Sequence, residues 1–313
     1  MTAARVSTES FMGAIVSKFF ARLAPAAGLG FHGWIKACVV ACALQALGGC
    51  AWLELKEREL VFRATPGQPA GFAGLRAGDS AFALAVPGAN PAVPDTLQLW
   101  WLPHTDPHAP ALLYLHGTFR NLYQNLRKID ALREAGFAVL AVDYRGWGDS
   151  TPLIPSEATI YADADAAWSE LTRRQPDPLK RVIYGHSMGG GVAIELAHRK
   201  RASADYAALI TESTFTRWPD VGAANGVLGA VLSRFSSQRF DSIGKIGRVD
   251  APILMLHGSA DTTVPIILGR QLRDAAPAGT RWVEIVGGTH SNLQRDAPEA
   301  YQQALRRLIS QLP

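Results

Sequence analysis

The chain has 313 residues, of which 48% are hydrophobic and 19% are charged, so it can bury a large core and is not disordered throughout. Its formal net charge is +4, but no basic stretch is interleaved with aromatic residues, which argues against nucleic-acid binding. Cysteine occurs only at positions 38, 42 and 50. A disulfide framework or a cysteine metal site is therefore excluded for the rest of the chain.

Residues 1–49 have the pattern of a targeting segment. Basic residues at Lys18, Arg22 and Lys36 precede residues 37–49, a run that contains no charged residue. This run is shorter than the roughly 20 residues that cross a bilayer. A basic region followed by a short apolar run is typical of a signal peptide.

The end of this segment resembles the lipobox of bacterial lipoproteins, because Gly48 and Gly49 stand directly before Cys50. The resemblance implies that Cys50 is lipidated and becomes the mature N-terminus. It also implies a membrane-anchored protein of the cell envelope, in the outer membrane if the host has one, since Ala51 and not Asp follows the cysteine. An uncleaved anchor helix is the alternative, and in both cases the N-terminal segment has a membrane as its partner.

Residues 50–313 are predicted to form one α/β domain. Residues 60–62 and 97–102 have strand character, and six short apolar runs follow, at 111–115, 137–142, 182–184, 207–210, 253–256 and 282–286. Each of the six is nearly continuous, as in strands that are buried on both faces of a parallel sheet. Apolar residues at helical spacing predict helices around residues 122–133 and 301–312. The expected architecture is a doubly wound, mostly parallel sheet flanked by helices, with ligands beyond the carboxyl ends of the strands.

A candidate nucleophile follows the third apolar run. Residues 185–189 read Gly-His-Ser-Met-Gly and lead into a helix of small residues. The pattern G-x-S-x-G is weak by itself, but between a strand and a helix it predicts a strained turn that exposes Ser187. Side chains at Gly185 or Gly189 would clash with the neighbouring strand and helix. An ordinary strand-to-helix turn is the alternative.

A serine nucleophile needs a base, and the base needs an acid that orients it. Asp261 and His290 follow the fifth and sixth runs, so both loops open on the same edge of the sheet as Ser187. Glu212 follows the fourth run and is the alternative acid. We favour Asp261, because its loop fits the usual acid position of such a sheet.

Residues 95–313 resemble the α/β-hydrolase superfamily, which has the order serine, acid, histidine. The motifs DYRGWGDS at 143–150, GHSMGGG at 185–191 and HGSADTTVP at 257–265 resemble its lysophospholipase and monoacylglycerol-lipase branch. The resemblance implies an oxyanion hole formed by the backbone N–H groups of Thr118 and Met188. The sequence has no dinucleotide-binding or metal-binding motif, so we expect no cofactor and no metal.

Other polar residues near the strand ends are predicted to be structural. His116 and His257 are expected to bond loop backbone, and His186 to support the turn at the serine. Asp143 is expected to brace a loop, paired with Arg145 or with backbone donors.

Residues 217–250 are predicted to form a small cap of one or two helices. Their apolar side chains would favour an apolar substrate, although simple packing of these side chains on the sheet is an equal alternative. The predicted function is hydrolysis of a carboxylic ester or thioester through an acyl-enzyme. The alternatives are a serine peptidase of the same fold, which usually carries a large extra domain, and a surface lipoprotein that only binds a ligand.

Overall fold

The computed structural model describes residues 51–313, except for the side chain at position 232. The chain divides into two units at residue 53, and the fold below is that of the second unit, residues 54–313. The predicted targeting segment at 1–49 and the lipidation of Cys50 lie outside the described residues and stay predictions. No helix among residues 51–313 is long and apolar enough to cross a membrane.

The second unit is built around an eight-stranded sheet with the order β1-β2-β4-β3-β5-β6-β7-β8. The strands are β1 (Ser80–Val86), β2 (Asp95–Leu102), β3 (Ala111–Leu115), β4 (Ala138–Asp143), β5 (Arg181–His186), β6 (Ala208–Glu212), β7 (Ile253–Gly258) and β8 (Arg281–Ile285). β2 runs antiparallel to β1 and β4, and all pairs among β3 to β8 are parallel. The prediction of a doubly wound, mostly parallel sheet is confirmed.

Helices cover both faces of the sheet. They are α1 (51–62), α2 (Leu122–Ala135), α3 (Glu157–Arg174), α4 (Met188–His198), α5 (Trp218–Ala224), α6 (Val227–Ser233), α7 (Ile243–Ile246), α8 (Ile266–Asp274), α9 (Leu293–Asp296) and α10 (Pro298–Ile309). In β3, Leu113 and Leu115 belong to one apolar cluster, while Leu112 and Tyr114 belong to the cluster on the opposite face. Both faces of the strand are thus buried, which explains why its apolar run is continuous.

Near the start of this unit one prediction is wrong, and one strand was not predicted. Residues 60–62 end helix α1 and do not form a strand. Phe62 is fully buried against the rings of Trp147 and Phe240, at centroid distances of 6.3 and 6.1 Å, so packing satisfies its apolar side chain without strand pairing. The outer strand β1 was not predicted, because its small and mostly exposed residues carry little strand signal.

The segment at residues 217–250 contains three short helices, α5, α6 and α7, and not one or two. Trp218 and Val221 pack against the core as expected for simple packing. Val227, Leu228 and other apolar residues of the segment are exposed instead, so the alternative of packing on the sheet is wrong for them. The role of the segment as a cap stays a prediction.

The stability of the fold depends on a close contact between α4 and β3 at Gly189. A Cβ atom on Gly189 would lie well inside 3.0 Å of the carbonyl oxygens of Leu115 and His116, which are backbone atoms of the sheet edge. At Gly191 in the same helix, the nearest atom would be the Ser242 hydroxyl at 3.3 Å. We expect Gly189→Ala to lower the free energy of unfolding by about 3 kcal/mol through overpacking.

The matched control Gly191→Ala should change that free energy by about 1 kcal/mol or less, because alanine gains helix propensity there. Urea denaturation followed by circular dichroism measures both variants. Equal effects of the two substitutions would contradict the proposed backbone contact.

Candidate active site

Ser187 occupies a strained turn between β5 and α4. Its φ of 57° and ψ of −122° lie where L residues are rarely found. A Cβ atom on Gly185 would lie well inside 3.0 Å of the Gly189 carbonyl oxygen, so the turn requires glycine there. The Ser187 amide donates to the Glu212 carbonyl oxygen of β6 at 2.8 Å, which anchors the turn to the sheet.

The Ser187 hydroxyl does not serve the helix that it precedes. A serine at the N-cap usually accepts a hydrogen bond from an amide of the first helical turn, but Ser187 makes no such bond. Its Oγ lies 2.9 Å from Nε2 of His290 instead. Helix α4 therefore lacks a stabilising N-cap hydrogen bond, and the Ser187 hydroxyl contacts the His290 imidazole instead.

His290 joins the serine to the acid. Its Nδ1 lies 2.7 Å from Oδ2 of Asp261, while its Nε2 faces Ser187. With the proton on Nδ1, the ring donates to the carboxylate and its Nε2 can accept the hydroxyl proton. The structure therefore brings together the three residues that the sequence predicts.

Asp261 is held as a carboxylate by its surroundings. Its Oδ1 accepts from the amides of Thr263 at 2.9 Å and Val264 at 2.8 Å. Burial alone would raise the pKa of Asp261, but hydrogen bonds from His257, His290 and the Val264 amide hold the pKa well below its ordinary value. The ionised acid can therefore stabilise a positive charge on His290 at neutral pH.

Two further histidines fix the loops of the site. His257 Nε2 lies 2.9 Å from the Val264 carbonyl oxygen and 3.5 Å from Asp261 Oδ2, so it supports both the acid loop and the acid. His186 Nε2 donates to the carbonyl oxygen of His290 at 2.9 Å. Burial lowers the pKa of His186 well below its ordinary value, which keeps this support neutral.

The two predicted oxyanion donors lie beside Ser187. A Cβ atom on Gly117 would approach Ser187 Cβ to 3.0 Å, so the chain at 117–118 passes next to the nucleophile. Trp147 Nε1 donates to the Thr118 carbonyl oxygen at 2.6 Å and fixes that peptide. Met188 opens α4, and the first amides of a helix have no acceptor within the helix. In residues 51–313 neither the Thr118 nor the Met188 amide donates to another protein group.

Glu212, the alternative acid, is engaged elsewhere. Its carboxylate is fully buried, forms an ion pair with Lys128, and accepts hydrogen bonds from the hydroxyls of Tyr184 and of Tyr301, the latter at 3.0 Å. Lys128 also donates to Gln294 at 3.1 Å. The geometry thus places Asp261, and not Glu212, on His290.

The role of Lys128 was not predicted from the sequence. This lysine belongs to the buried stripe of α2, between Asn125 and Leu132. Lys128 lies three residues after Asn125 and four residues before Leu132, a spacing that places it on the buried face of the helix. A buried cation needs a buried partner of opposite charge, so this spacing could have indicated the ion pair.

One predicted pairing is wrong. Asp143 does not pair with Arg145, which instead bonds Asp163 at 2.8 Å and Asp95 at 2.9 Å. Asp143 accepts from the Leu122 amide at 2.9 Å, so the alternative of a backbone donor is the correct one. Its Oδ1 also lies 3.3 Å from Nε2 of His116, a contact that the sequence did not indicate.

A family model described as serine aminopeptidase S33 matches residues 106–244. An uncharacterized protein of Mycobacterium tuberculosis is 33% identical over 214 residues, which are 68% of this chain and 74% of that protein. The lysophosphatidylserine lipase ABHD12 of Danio rerio is 35% identical over 185 residues, 53% of this chain. The match covers 47% of that lipase, about half of its length.

Solved structures share the fold at low identity. An esterase of Pyrococcus furiosus superposes with a TM-score of 0.61 at 17% identity, covering 80% of this chain and 97% of that one. A bromoperoxidase of Bacillus anthracis gives a TM-score of 0.57 at 15% identity, covering 74% of this chain and 100% of that one. Identities this low speak for the fold alone.

The buried pair of Lys128 and Glu212 should contribute to stability. Lys128→Met would leave the Glu212 carboxylate buried without a cation, which costs about 3–5 kcal/mol in comparable cases. We expect the free energy of unfolding in urea to fall by about that amount. In the control, Lys56→Met, an exposed ion pair with Glu59 is removed and the loss should be about 0.5 kcal/mol or less. Similar losses for the two variants would show that the buried pair is not needed.

Proposed function

The chain belongs to the α/β-hydrolase superfamily, as its motifs predict, and we propose that it is a serine hydrolase that cleaves a carboxylic ester or thioester through an acyl-enzyme. The observation that carries this proposal is the hydrogen-bonded series of Ser187, His290 and Asp261, with distances of 2.9 and 2.7 Å. Such a series activates a hydroxyl that is otherwise a poor nucleophile.

In the first half of the proposed reaction, Ser187 Oγ attacks the acyl carbon while His290 Nε2 takes the hydroxyl proton. The carbonyl oxygen becomes negatively charged, and the amides of Thr118 and Met188 stabilise it. Asp261 stabilises the imidazolium. Collapse of the tetrahedral intermediate breaks the bond to the alcohol or thiol, which leaves with the proton from His290.

In the second half, water replaces the leaving group. His290 removes a proton from the water as it attacks the acyl-enzyme, and the same two amides stabilise the second tetrahedral intermediate. The proton then returns to Ser187 Oγ as the carboxylic acid leaves. Every proton is thus carried by His290, and Asp261 remains ionised throughout.

The names of similar proteins support an acyl substrate, since one relative is a lipase and one structure with this fold is an esterase. The family model described as a serine aminopeptidase supports a second candidate, amide hydrolysis by the same groups. The two differ in the leaving group, so rates on a matched ester and anilide of one acyl group separate them. We favour the ester. A non-catalytic binding protein would gain nothing from the strained backbone and uncapped helix at Ser187.

The nucleophile can be tested against a neighbouring serine. We expect the protein to hydrolyse short-chain p-nitrophenyl esters and to react with a fluorophosphonate probe. Ser187→Ala should abolish labelling and lower kcat by at least about 10⁴-fold. Ser213 is a matched control, because it is also buried with a positive φ, but its Oγ has no hydrogen-bond partner. Ser213→Ala should keep both activities.

Loss of labelling in both serine variants would mean that the probe does not report a specific nucleophile. A folded wild-type protein that neither hydrolyses these esters nor reacts with the probe would favour the ligand-binding alternative over the enzyme.

The two candidate acids can be compared by replacing each carboxylate with the corresponding side-chain amide and measuring kcat. Asp261→Asn would favour the wrong tautomer of His290, a change that lowered kcat by about 10⁴-fold in a protease triad. Glu212→Gln should cost far less in kcat, because Glu212 does not contact His290. Both rates should be measured at a temperature where circular dichroism shows each variant folded, since Glu212→Gln also weakens the pair with Lys128. The reverse ranking would assign the acid to β6.

A further inference from the structure

A buried cation, Lys128, connects the turn that carries Ser187 with the loop that carries His290, and the proposed reaction does not use it. The side chain of Lys128 is 2% exposed. Its ammonium forms an ion pair with the Glu212 carboxylate and donates to Gln294 Oε1 at 3.1 Å. Well-packed apolar residues of similar volume often stabilise a core as well as a buried ion pair does. The polar contacts of Lys128 therefore point to a role besides packing.

Glu212 is the connection from Lys128 to the nucleophile. Its carboxylate binds the ammonium, while its backbone carbonyl oxygen accepts from the Ser187 amide at 2.8 Å. The hydroxyls of Tyr184 and Tyr301 also donate to this carboxylate. Side chains from α2, β5 and α10 thus fix Glu212, which gives Lys128 a defined position relative to the strained turn at Ser187.

Gln294 is the connection from Lys128 to the base. It lies in α9, four residues after His290. The start of the His290 loop is fastened to the same helix, because the Asp296 carboxylate accepts from the Thr289 amide at 2.8 Å. A movement of α9 would therefore carry the His290 loop with it.

The position of α9 depends on its contacts with the rest of the domain. The helix is a single turn of four residues without a side-chain N-cap, and a helix this short is not stable by itself. Leu293 is fully buried and anchors one side of the turn. In residues 51–313, the bond from Lys128 to Gln294 is the side-chain hydrogen bond that joins α9 to another helix or strand.

The charge of Lys128 also acts on the histidine that supports the His290 loop. Burial lowers the pKa of His186, and the positive charge of Lys128 lowers that pKa further. A neutral His186 with its proton on Nε2 donates to the His290 carbonyl oxygen at 2.9 Å. Lys128 thus supports the loop directly through Gln294 and indirectly through His186.

We propose that Lys128 is a positioning residue that holds the His290 loop in place relative to Ser187. It does so through Glu212 on one side and Gln294 on the other. This inference rests on the proposed function, because positioning is measured as catalysis. A misplacement of about 1 Å can lower a rate by about 10²-fold, so a small shift of α9 is measurable.

Substitutions of Gln294 in the full chain test this proposal and leave the buried ion pair intact, whereas Lys128→Met is expected to destabilise the fold. Gln294→Met removes the acceptor oxygen and keeps a side chain of similar length. We expect kcat on p-nitrophenyl butyrate to fall about 10- to 100-fold with little change in KM. The rate of labelling by a fluorophosphonate should fall by a similar factor, because it depends on the same serine hydroxyl. Gln294→Glu keeps an acceptor for the ammonium and should keep kcat close to that of the wild type.

Gln302→Met is the matched control. Gln302 is also a partly buried glutamine, and it joins α10 to α2 through a hydrogen bond to the Ala131 carbonyl oxygen at 2.8 Å. In the described part of the chain this side chain has no hydrogen bond to the His290 loop. Gln302→Met should lower the urea midpoint of unfolding about as much as Gln294→Met does, and it should leave kcat unchanged.

Wild-type kcat in Gln294→Met would overturn the proposal and leave the proposed function intact. Equal losses of kcat in Gln294→Met and Gln302→Met would also overturn it, because general destabilisation would then explain both. So would a rise in KM at unchanged kcat, or a loss in Gln294→Glu as large as that in Gln294→Met. A folded wild-type protein without turnover or labelling would overturn the proposed function itself, and the wild type measured alongside the variants distinguishes the two failures.

Discussion

The close approach of backbone to backbone around Ser187 is the constraint on which the candidate site depends. The residue has a strained backbone with a positive φ, which costs about 1–3 kcal/mol, and only well-packed surroundings can maintain it. Gly185 lets β5 approach α4, Gly189 lets α4 approach the end of β3, and the amide of Ser187 donates to the Glu212 carbonyl oxygen of β6. The strained turn is thus held by contacts with α4, β3 and β6. As a result, the Ser187 hydroxyl does not cap helix α4 and lies within hydrogen-bond distance of His290.

Two of the histidine–carboxylate pairs at this edge of the sheet have different roles, because their surroundings differ. His290 and Asp261 lie next to a serine hydroxyl, and amides keep the carboxylate ionised. His116 and Asp143 are fully buried with no nucleophile, and burial raises the pKa of Asp143. Residue type alone therefore does not determine the role of such a pair. The role depends on whether a hydroxyl lies next to the histidine, on which groups donate to the carboxylate, and on access to solvent.

Most strands that the sequence predicts correctly have a nearly unbroken apolar run, because strands such as β3, β4 and β7 are buried on both faces of the sheet. The three residues of the site could be predicted because each follows such a strand at a turn, and turn chemistry is local. Residues 60–62 could not be assigned, since a run of three has no measurable period. The partner of Asp143 could not be predicted either. His116 is 27 positions away in sequence, and only the packing of β3 beside β4 brings the two together.

The hydrogen bond between Ser187 and His290 joins residues that are 103 positions apart. The C-terminal helix α10 in turn packs on α2, where Gln302 donates to the Ala131 carbonyl oxygen at 2.8 Å. Contacts of such long range form late in folding, because the chain loses the conformational entropy of closing a large loop before these contacts can stabilise it. Synthesis runs from the N-terminus, so a growing chain can hold the serine turn and most of the sheet while it still lacks the base. The three groups can meet only after His290 has been synthesised, so a growing chain can form the serine turn before it has the base that would activate Ser187.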